Sequence, residues 1–417
     1  MSESMTSEQV KIPLVYSQLI NEKGYTGSKG LSMCWGQMKL LVSESALFYS
    51  MIQHGLTDWS RYIVVYVGSS PGSHLPVLFD LFAGLKWLLI DPSPASDTVN
   101  RMSLQSLISD NVNVTIWNKL FTDDTVNEVL SFANGREIIY INDMRKICNA
   151  FAESTDEDQI AIDMSYQLRW GLMMNPLVMW LKFRPPYIAN DKMVAKISID
   201  DIFGGFGQEG VSMMENMRKF EDDTHFIYLS GDIFIQAFHP NNSTETRLLS
   251  IRNQSTGIHL LTVYDALSYD RKMSYYNTEI RDVIYTKCVS CSYNNVDCKC
   301  ISDYCKNFIG FEPNADCLLM IYYLRCIGLN LNDVLNRFKY LGIKTNIPLS
   351  RFKALNRRDD NALNNALLHV NKVIREWITV NGGYHSAQVK SSIRYVRDTC
   401  HLRNLIIGKH GDISIVK

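Results

Sequence analysis

Residues 62–91, YIVVYVGSSPGSHLPVLFDLFAGLKWLLID, constrain the fold of this chain more than any other stretch. The opening run, Tyr62–Val67, is uninterrupted, apolar and rich in β-branched residues, as expected of a strand buried on both faces of a parallel sheet. Gly68-Ser69-Ser70-Pro71-Gly72 follows, a loop of small residues that lets a ligand approach the backbone closely. A helix over residues 73–81, a second apolar strand over Lys86–Ile90, and Asp91 complete the pattern. Together they read as the opening βαβ unit of a nucleotide-binding α/β sheet, with the acid placed to accept hydrogen bonds from a ribose. The stretch lacks G-x-G-x-x-G, and no Lys-Ser/Thr follows its glycines, so it is neither a dinucleotide fingerprint nor a phosphate loop. Adenosine without a polyphosphate fits better, and S-adenosylmethionine is the commonest cofactor of that kind.

The chain has 417 residues, enough for one large α/β domain with additions or for two domains. A net charge of −1 gives no whole-chain nucleic-acid signal, so any basic surface must be local. The first ten residues are polar, without the basic and then apolar run of an export signal. The longest apolar stretch, residues 317–331, is broken by Arg325 and too short to span a bilayer. These features predict a soluble intracellular protein with no membrane partner. Its ten cysteines then read as reduced thiols or metal ligands rather than disulfides.

A helix is expected over residues 37–54, ended by Gly55, and feeds the βαβ unit. Further strands are expected over 112–117, Glu137–Asn142 and 177–183, with helices over about 123–132 and 160–174 and a polar loop over 153–159. Residues 188–224 read as an insertion. Within it Gly205-Phe206-Gly207-Gln208-Glu209-Gly210 matches G-x-G-x-x-G letter for letter, but two aspartates interrupt the preceding run, so a flexible loop is expected rather than a cofactor site. Strands resume over 226–229, 248–251 and 258–263. An amphipathic helix is expected over 359–380, in a locally basic tail that is either a solvated helical cap or a surface for RNA or a partner.

Moving a methyl group from a sulfonium to a hydroxyl needs in-line positioning and help in removing a proton. A ribose hydroxyl is a very weak acid, so its activator should have a high but depressed pKa; a desolvated lysine near other cations suits. Lys39, Asp143, Lys182 and Glu245 each stand by the end of an expected element. Taken singly, each would read as a surface charge. Ligands of parallel α/β sheets sit at the strand C-termini, so Asp143 and Lys182 are expected to converge on the cofactor.

These motifs, in this order, resemble the poxvirus cap-specific 2′-O-methyltransferases that double as the small, processivity-stimulating subunit of poly(A) polymerase. The resemblance runs through Gly36-Gln37-Met38-Lys39-Leu40-Leu41, Val65-Tyr66-Val67-Gly68-Ser69-Ser70-Pro71-Gly72-Ser73-His74 and Trp87-Leu88-Leu89-Ile90-Asp91. It continues through Ile141-Asn142-Asp143-Met144-Arg145, Leu181-Lys182-Phe183-Arg184 and Glu245-Thr246-Arg247-Leu248-Leu249-Ser250-Ile251, and ends near Tyr269-Asp270-Arg271-Lys272-Met273. It implies a Rossmann-like S-adenosylmethionine-dependent sheet with helices on both faces. Lys182 would be the base or steering amine, tuned by Lys39 and Asp143, with Glu245 completing the tetrad. Cofactor contacts would come from Gln37, Gly68, Ser69, Pro71, Gly72, His74, Asp91, Lys119 and Met144. Ser93 stands where the family has an arginine.

For the cap, the resemblance implies a sandwich of methylguanine between Tyr25 and Tyr187, favoured by cation–π attraction, with Asp270 and Asp191 as carboxylates for the base edge. The alternative for either ring is an ordinary half-buried tyrosine. Arg145, Arg184 and Arg247 would be the cations facing cap and RNA. A third family aromatic aligns with Asn242 and is absent. Capped viral mRNA and a poly(A) polymerase catalytic subunit are the implied partners, and the host cytoplasm (viral factory, with packaging in the virion) the implied location. The leading alternative is a non-catalytic RNA- and cap-binding subunit; a third reading is an RNA 2′-O-methyltransferase that needs no cap.

Four regions follow: an arm over 1–35, the methyltransferase domain over 36–285, a Cys-rich insert over 286–312 and a helical, basic region over 313–417. Cys288, Cys291, Cys298, Cys300 and Cys305 supply enough thiols for a structural zinc site, with free thiols and disulfides as the alternatives.

Overall fold

In the computed structural model the strand β1 (Tyr62–Val67) is buried along its whole length. It has a parallel neighbour on each side: β2 (Lys86–Ile90), and β4 (Glu137–Asn142), which follows β3 (Val114–Trp117) in the chain. The structure describes residues 33–93, 98–99, 102–103, 113–145, 157–237, 239, 243–275, 323–324, 327–329, 405–407 and 413–415. With β5 (Val178–Phe183), β6 (Asp232–Ile235) and β7 (Thr246–Ile251), these strands form a seven-stranded sheet of order β3-β2-β1-β4-β5-β7-β6. All pairs are parallel except those of β7, which runs antiparallel to both β5 and β6. The chain reverses its direction of winding between β1 and β4, the switch point at which open α/β sheets take ligands.

Helices α1 (Met33–Gln53), α2 (Leu75–Leu81), α3 (Asp123–Ala133) and α4 (Glu157–Met174) accompany the sheet. Apolar side chains of α1, among them Leu41, Leu47, Phe48 and Met51, join the same buried core as β1 and β2. Thr122 caps α3 by accepting from the Thr125 backbone, and Asp123 and Asp124 lie in its first turn, where the helix dipole favours them. Asn134, left-handed at φ 47°, and Gly135, at φ 79°, end it. Helix α4 starts at Glu157, so residues 157–159 are not part of a loop; Glu157 and Asp158 complement the positive end of the dipole.

The insertion folds into short elements, including over residues 205–210, where the sequence predicts a flexible loop. An Asn190-Asp191 turn with both φ positive joins a two-residue ribbon, Ile188–Ala189 with Lys192–Met193. The Ser198 side chain caps a helix over Ile199–Phe203, whose two aspartates fall in the first turn; they would spoil a strand but favour a helix start. The G-x-G-x-x-G letters fall across a 3₁₀ turn, Gly204–Phe206, and the start of a helix, Gly207–Met217. No strand precedes them, so the letters form no cofactor loop.

Two expected strands, now bounded as His225–Leu229 and Leu260–Asp265, leave the main sheet and pair antiparallel with each other. Ile413–Ile415 adds to Leu260–Asp265, and Leu405–Ile407 to that, so the C-terminal region is not helical throughout. The helix expected over 359–380, the five insert cysteines, Tyr25 and Asn242 lie outside the described residues. Among the described residues no helix is long and apolar enough to cross a membrane.

Candidate active site

Pleat and register bring the tetrad together. Arg247 on β7 lies directly opposite Lys182 on β5, and directly opposite residues of an antiparallel pair share a face. Glu245 precedes Arg247 by two residues and so keeps to that face. Asn142 pairs with Leu181, so one step beyond the end of β4 Asp143 meets Lys182. Because β7 is antiparallel, its start lies at the edge where β1, β4 and β5 end. The fourth member, Lys39, comes from the second turn of α1 rather than a helix end.

Lys182 Nζ donates 2.6 Å to the Asp143 carbonyl and lies 3.0 Å from Asp143 Oδ1. Arg247 Nη2 donates to the same carboxylate oxygen, and its Nη1 reaches the Asn142 carbonyl at 3.2 Å. Lys39 Nζ donates 3.2 Å to Glu245 Oε1, while Arg145 Nη2 donates 2.6 Å to Glu245 Oε2. Four cations thus surround two carboxylates. Burial pulls the Lys182 amine down to about 8 against the opposing pull of Asp143 and Glu245, aided by Arg145 and Arg247. Burial would raise Asp143, but Lys182, Arg247 and Lys39 override it and hold the carboxyl at about 2. Glu245 is likewise held well below the usual carboxylate range, with Lys39 the strongest opponent of burial.

The loop after β1 adjoins this cluster. Gly68 has φ 78°, and a Cβ there would meet Met144 N at 2.7 Å and Asp143 C at 2.9 Å. Only glycine therefore lets the loop lie against the chain leaving β4. Asp91 Oδ2 accepts from Ser70 N at 3.0 Å and Oδ1 from Ser93 N at 2.8 Å. Each oxygen keeps a lone pair for a ribose hydroxyl. A loop without lysine or arginine, closed by an acid, fits an adenosine and offers nothing to a polyphosphate. Ser69 is buried beside it, between Gly68 and the backbone that Asp91 holds.

Other predicted contacts are placed differently. Gln37 and His74 brace the loop from within: Gln37 Oε1 accepts from Ser73 Oγ at 3.1 Å and faces His74 Nδ1 at 2.9 Å. His74 Nε2 faces Glu44 Oε2 at 2.9 Å, and Tyr66 donates 2.6 Å to Glu44 Oε1, a fully buried chain tying α1 to β1 and the loop. Glu44 escaped notice in the sequence because it stands inside an apolar helix face with no motif around it. Lys119 pairs with Glu128 and lies 4.3 Å over the Trp117 ring. The Met144 amide donates 3.0 Å to Asn142 Oδ1.

Of the cations expected to face cap and RNA, Arg247 is 1% exposed and lies beneath the tetrad, serving Asp143 rather than a surface. Arg145 is bound to Glu245 and part of its side chain reaches solvent. Arg184 is buried, donates 2.6 Å to Glu157 Oε1, and stacks 3.8 Å from the Tyr187 ring centre. Glu157 Oε2 accepts from Tyr187 N at 2.8 Å, so one carboxylate fixes both residues. Asp191 is exposed at its hairpin tip, and Asp270 is buried on α5 (Ala266–Tyr275). Among the described residues no group of three or more His, Cys, Asp or Glu is arranged to hold a metal ion.

The strand order, the acid-closed glycine loop at the switch point and the adjacent lysine–carboxylate cluster define a Rossmann-like α/β protein with its site at the C-terminal sheet edge. The chain belongs to the poly(A) polymerase regulatory subunit family, whose model matches residues 10–199 and 212–310. It is similar to the cap-specific mRNA (nucleoside-2′-O-)-methyltransferase of Fowlpox virus (strain NVSL), with 28% identity over 288 residues, 66% of this chain and 79% of that protein. The protein of the same name from Myxoma virus (strain Lausanne) is 27% identical over 255 residues, 60% of this chain and 62% of that protein.

Proposed function

We propose that this protein is a cap-specific mRNA 2′-O-methyltransferase that uses S-adenosylmethionine to methylate the first transcribed nucleotide of capped viral RNA. The observation that carries this reading is the Lys182 amine, buried at the sheet edge and pulled down to about 8 beside the Asp143 carboxylate. Bound S-adenosylmethionine supplies a methyl group on a sulfonium sulfur, open to in-line displacement. Gly68, Pro71, Gly72 and Asp91 hold its adenosine. Lys182 Nζ accepts the proton of the ribose 2′-hydroxyl, or steers that oxygen by hydrogen bonding, as the new C–O bond forms. Asp143 orients the amine, and Glu245 holds Lys39 and Arg145 close by. The names of the two viral relatives support both the reaction and the substrate.

A second role, as regulatory partner of a poly(A) polymerase catalytic subunit, is favoured by the family description and is compatible with the first. The Arg184 stack favours a looser requirement for the cap, because a guanidinium already occupies one face of the Tyr187 ring. The same reading puts the protein in the host cytoplasm, at the viral factory. The test is transfer of labelled methyl to short RNAs bearing a methylated cap, an unmethylated cap or a triphosphate. Incorporation into the first alone, abolished by Lys182→Ala, supports the proposal. No incorporation into any RNA despite cofactor binding would sink it, and equal incorporation into uncapped RNA would favour the cap-independent reading.

A further inference from the structure

Gln236 belongs to none of the motifs that mark the site, yet it lies between two of its charged groups. It follows the last residue of β6, and the register Ile235 opposite Thr246, carried one step further, puts it opposite Glu245. Its side chain is 2% exposed. The amide nitrogen donates 3.1 Å to Glu245 Oε1 and 3.3 Å to the Glu245 carbonyl, and the amide oxygen accepts from Arg247 Nε at 3.1 Å. The orientation of the amide is fixed by its neighbours. Arg247 can only donate and the Glu245 carboxylate can only accept, so a flipped amide would set donor against donor and acceptor against acceptor.

We propose that Gln236 is a positioning residue whose amide holds Glu245 and Arg247 at a fixed spacing around the Lys182–Asp143 pair, keeping the cluster poised to release the lysine proton. This rests on the reading of Lys182 as the group that handles the 2′-hydroxyl proton. The charge count explains why an amide is needed. Facing Lys182 are Asp143 and Arg145 from the end of β4 and Glu245 and Arg247 from β7, while Lys39 from α1 pairs with Glu245. Behind Arg247 lies Tyr66 on β1, hydrogen-bonded to Glu44, which in turn faces His74. The excess of positive charge favours loss of a proton from the buried Lys182 amine, since the two arginines keep theirs. A neutral amide joins an acid to a base without altering that balance. A glutamate would cancel part of it, and an apolar side chain would leave buried donors and acceptors unmet.

The test uses full-length protein labelled with ¹³C-lysine. The Lys182 ε-carbon resonance is assigned by its loss in Lys182→Arg and followed against pH. Gln236→Glu is expected to move the Lys182 midpoint upward by about one unit or more, because a negative charge added beside Glu245 favours the protonated amine. Gln236→Met keeps the charge but frees both neighbours. It is expected to lower kcat about tenfold at unchanged KM for RNA, the mark of an interaction that counts in the transition state. If Gln236→Glu folds and leaves the midpoint in place, the proposal is overturned. If that variant does not fold, an unchanged kcat in folded Gln236→Met overturns it. The resonance midpoint needs no methyl transfer, so an inactive wild-type protein would refute the proposed reaction while leaving the role of Gln236 open to measurement.

Discussion

The ionisation of Lys182 gives the sharpest prediction. A fall from the ordinary 10.5 to about 8 corresponds to about 3 kcal/mol against the charged form, at roughly 1.4 kcal/mol per unit. The Asp143 carboxylate at 3.0 Å works in the other direction, by up to about 5.5 kcal/mol at an effective dielectric of about 20. Desolvation, helped by Arg145 and Arg247, must exceed that pull. The neutral amine then makes up about one-tenth of the population at pH 7, half at pH 8 and nine-tenths at pH 9. Initial rates of methyl transfer, at saturating cofactor and RNA and constant ionic strength, should rise about tenfold from pH 7 to pH 9 and then level off. A lysine left at its ordinary value would give about a hundredfold rise over the same span and keep climbing. Lys182→Arg keeps the charge but holds its proton throughout, so it should lose at least about a hundredfold in rate and show no inflection. A flat profile, or an active Lys182→Arg, would refute the reasoning; so would a slope of one continuing beyond pH 9.5.

Other perturbations separate the supports of the site. Arg247→Met strips a buried partner from Asp143 and should cost about 3 kcal/mol in urea denaturation, whereas a loss below about 1 kcal/mol would mean that Lys182 alone satisfies the acid. Gly68→Ala adds a Cβ within 3 Å of the Asp143–Met144 backbone at a positive φ, and should lose about 2–4 kcal/mol of stability together with measurable cofactor binding by calorimetry. Glu157→Gln weakens its hold on Arg184 and should weaken RNA binding in a fluorescence titration by about 1–2 kcal/mol; unchanged affinity would show that the Arg184–Tyr187 stack needs no brace. Asp143 has a folded-state value below its unfolded one, so its contribution of about 2 kcal/mol is fully present above pH 4 and fades as pH falls towards 2. Denaturation midpoints across that window should therefore drop less in Asp143→Asn than in the parent.

The parallel core was readable because strands buried on both faces leave continuous apolar runs: β1, β2, β4 and β5 all fall where such runs stand. Strand β6 was missed. It has only four residues, and the tight approach that admits it depends on Gly231, where a Cβ would lie 2.0 Å from the Leu249 carbonyl oxygen. With β6 went Gln236, whose importance comes only from the strand it faces. Residues 205–210, rightly set aside as a cofactor site, form a 3₁₀ turn and a helix start instead of the expected flexible loop, and neither element carries a side-chain cap that would have marked it.

By itself the sequence determined the βαβ opening, the small-residue loop closed by Asp91, and the presence of Lys39, Asp143, Lys182 and Glu245 beside their elements. These depend on local pattern and short-range order. Only the tertiary structure decided who pairs with whom: that Arg247 supports Asp143 from beneath, that Arg145 is bound to Glu245, that His74 faces Glu44, and that Arg184 backs Tyr187. Those pairings follow from strand register and from burial, which join residues as far as 104 positions apart. The ionisation of Lys182 on β5 depends on charges contributed from the end of β4 and from β7 at once, and no stretch of sequence contains them together.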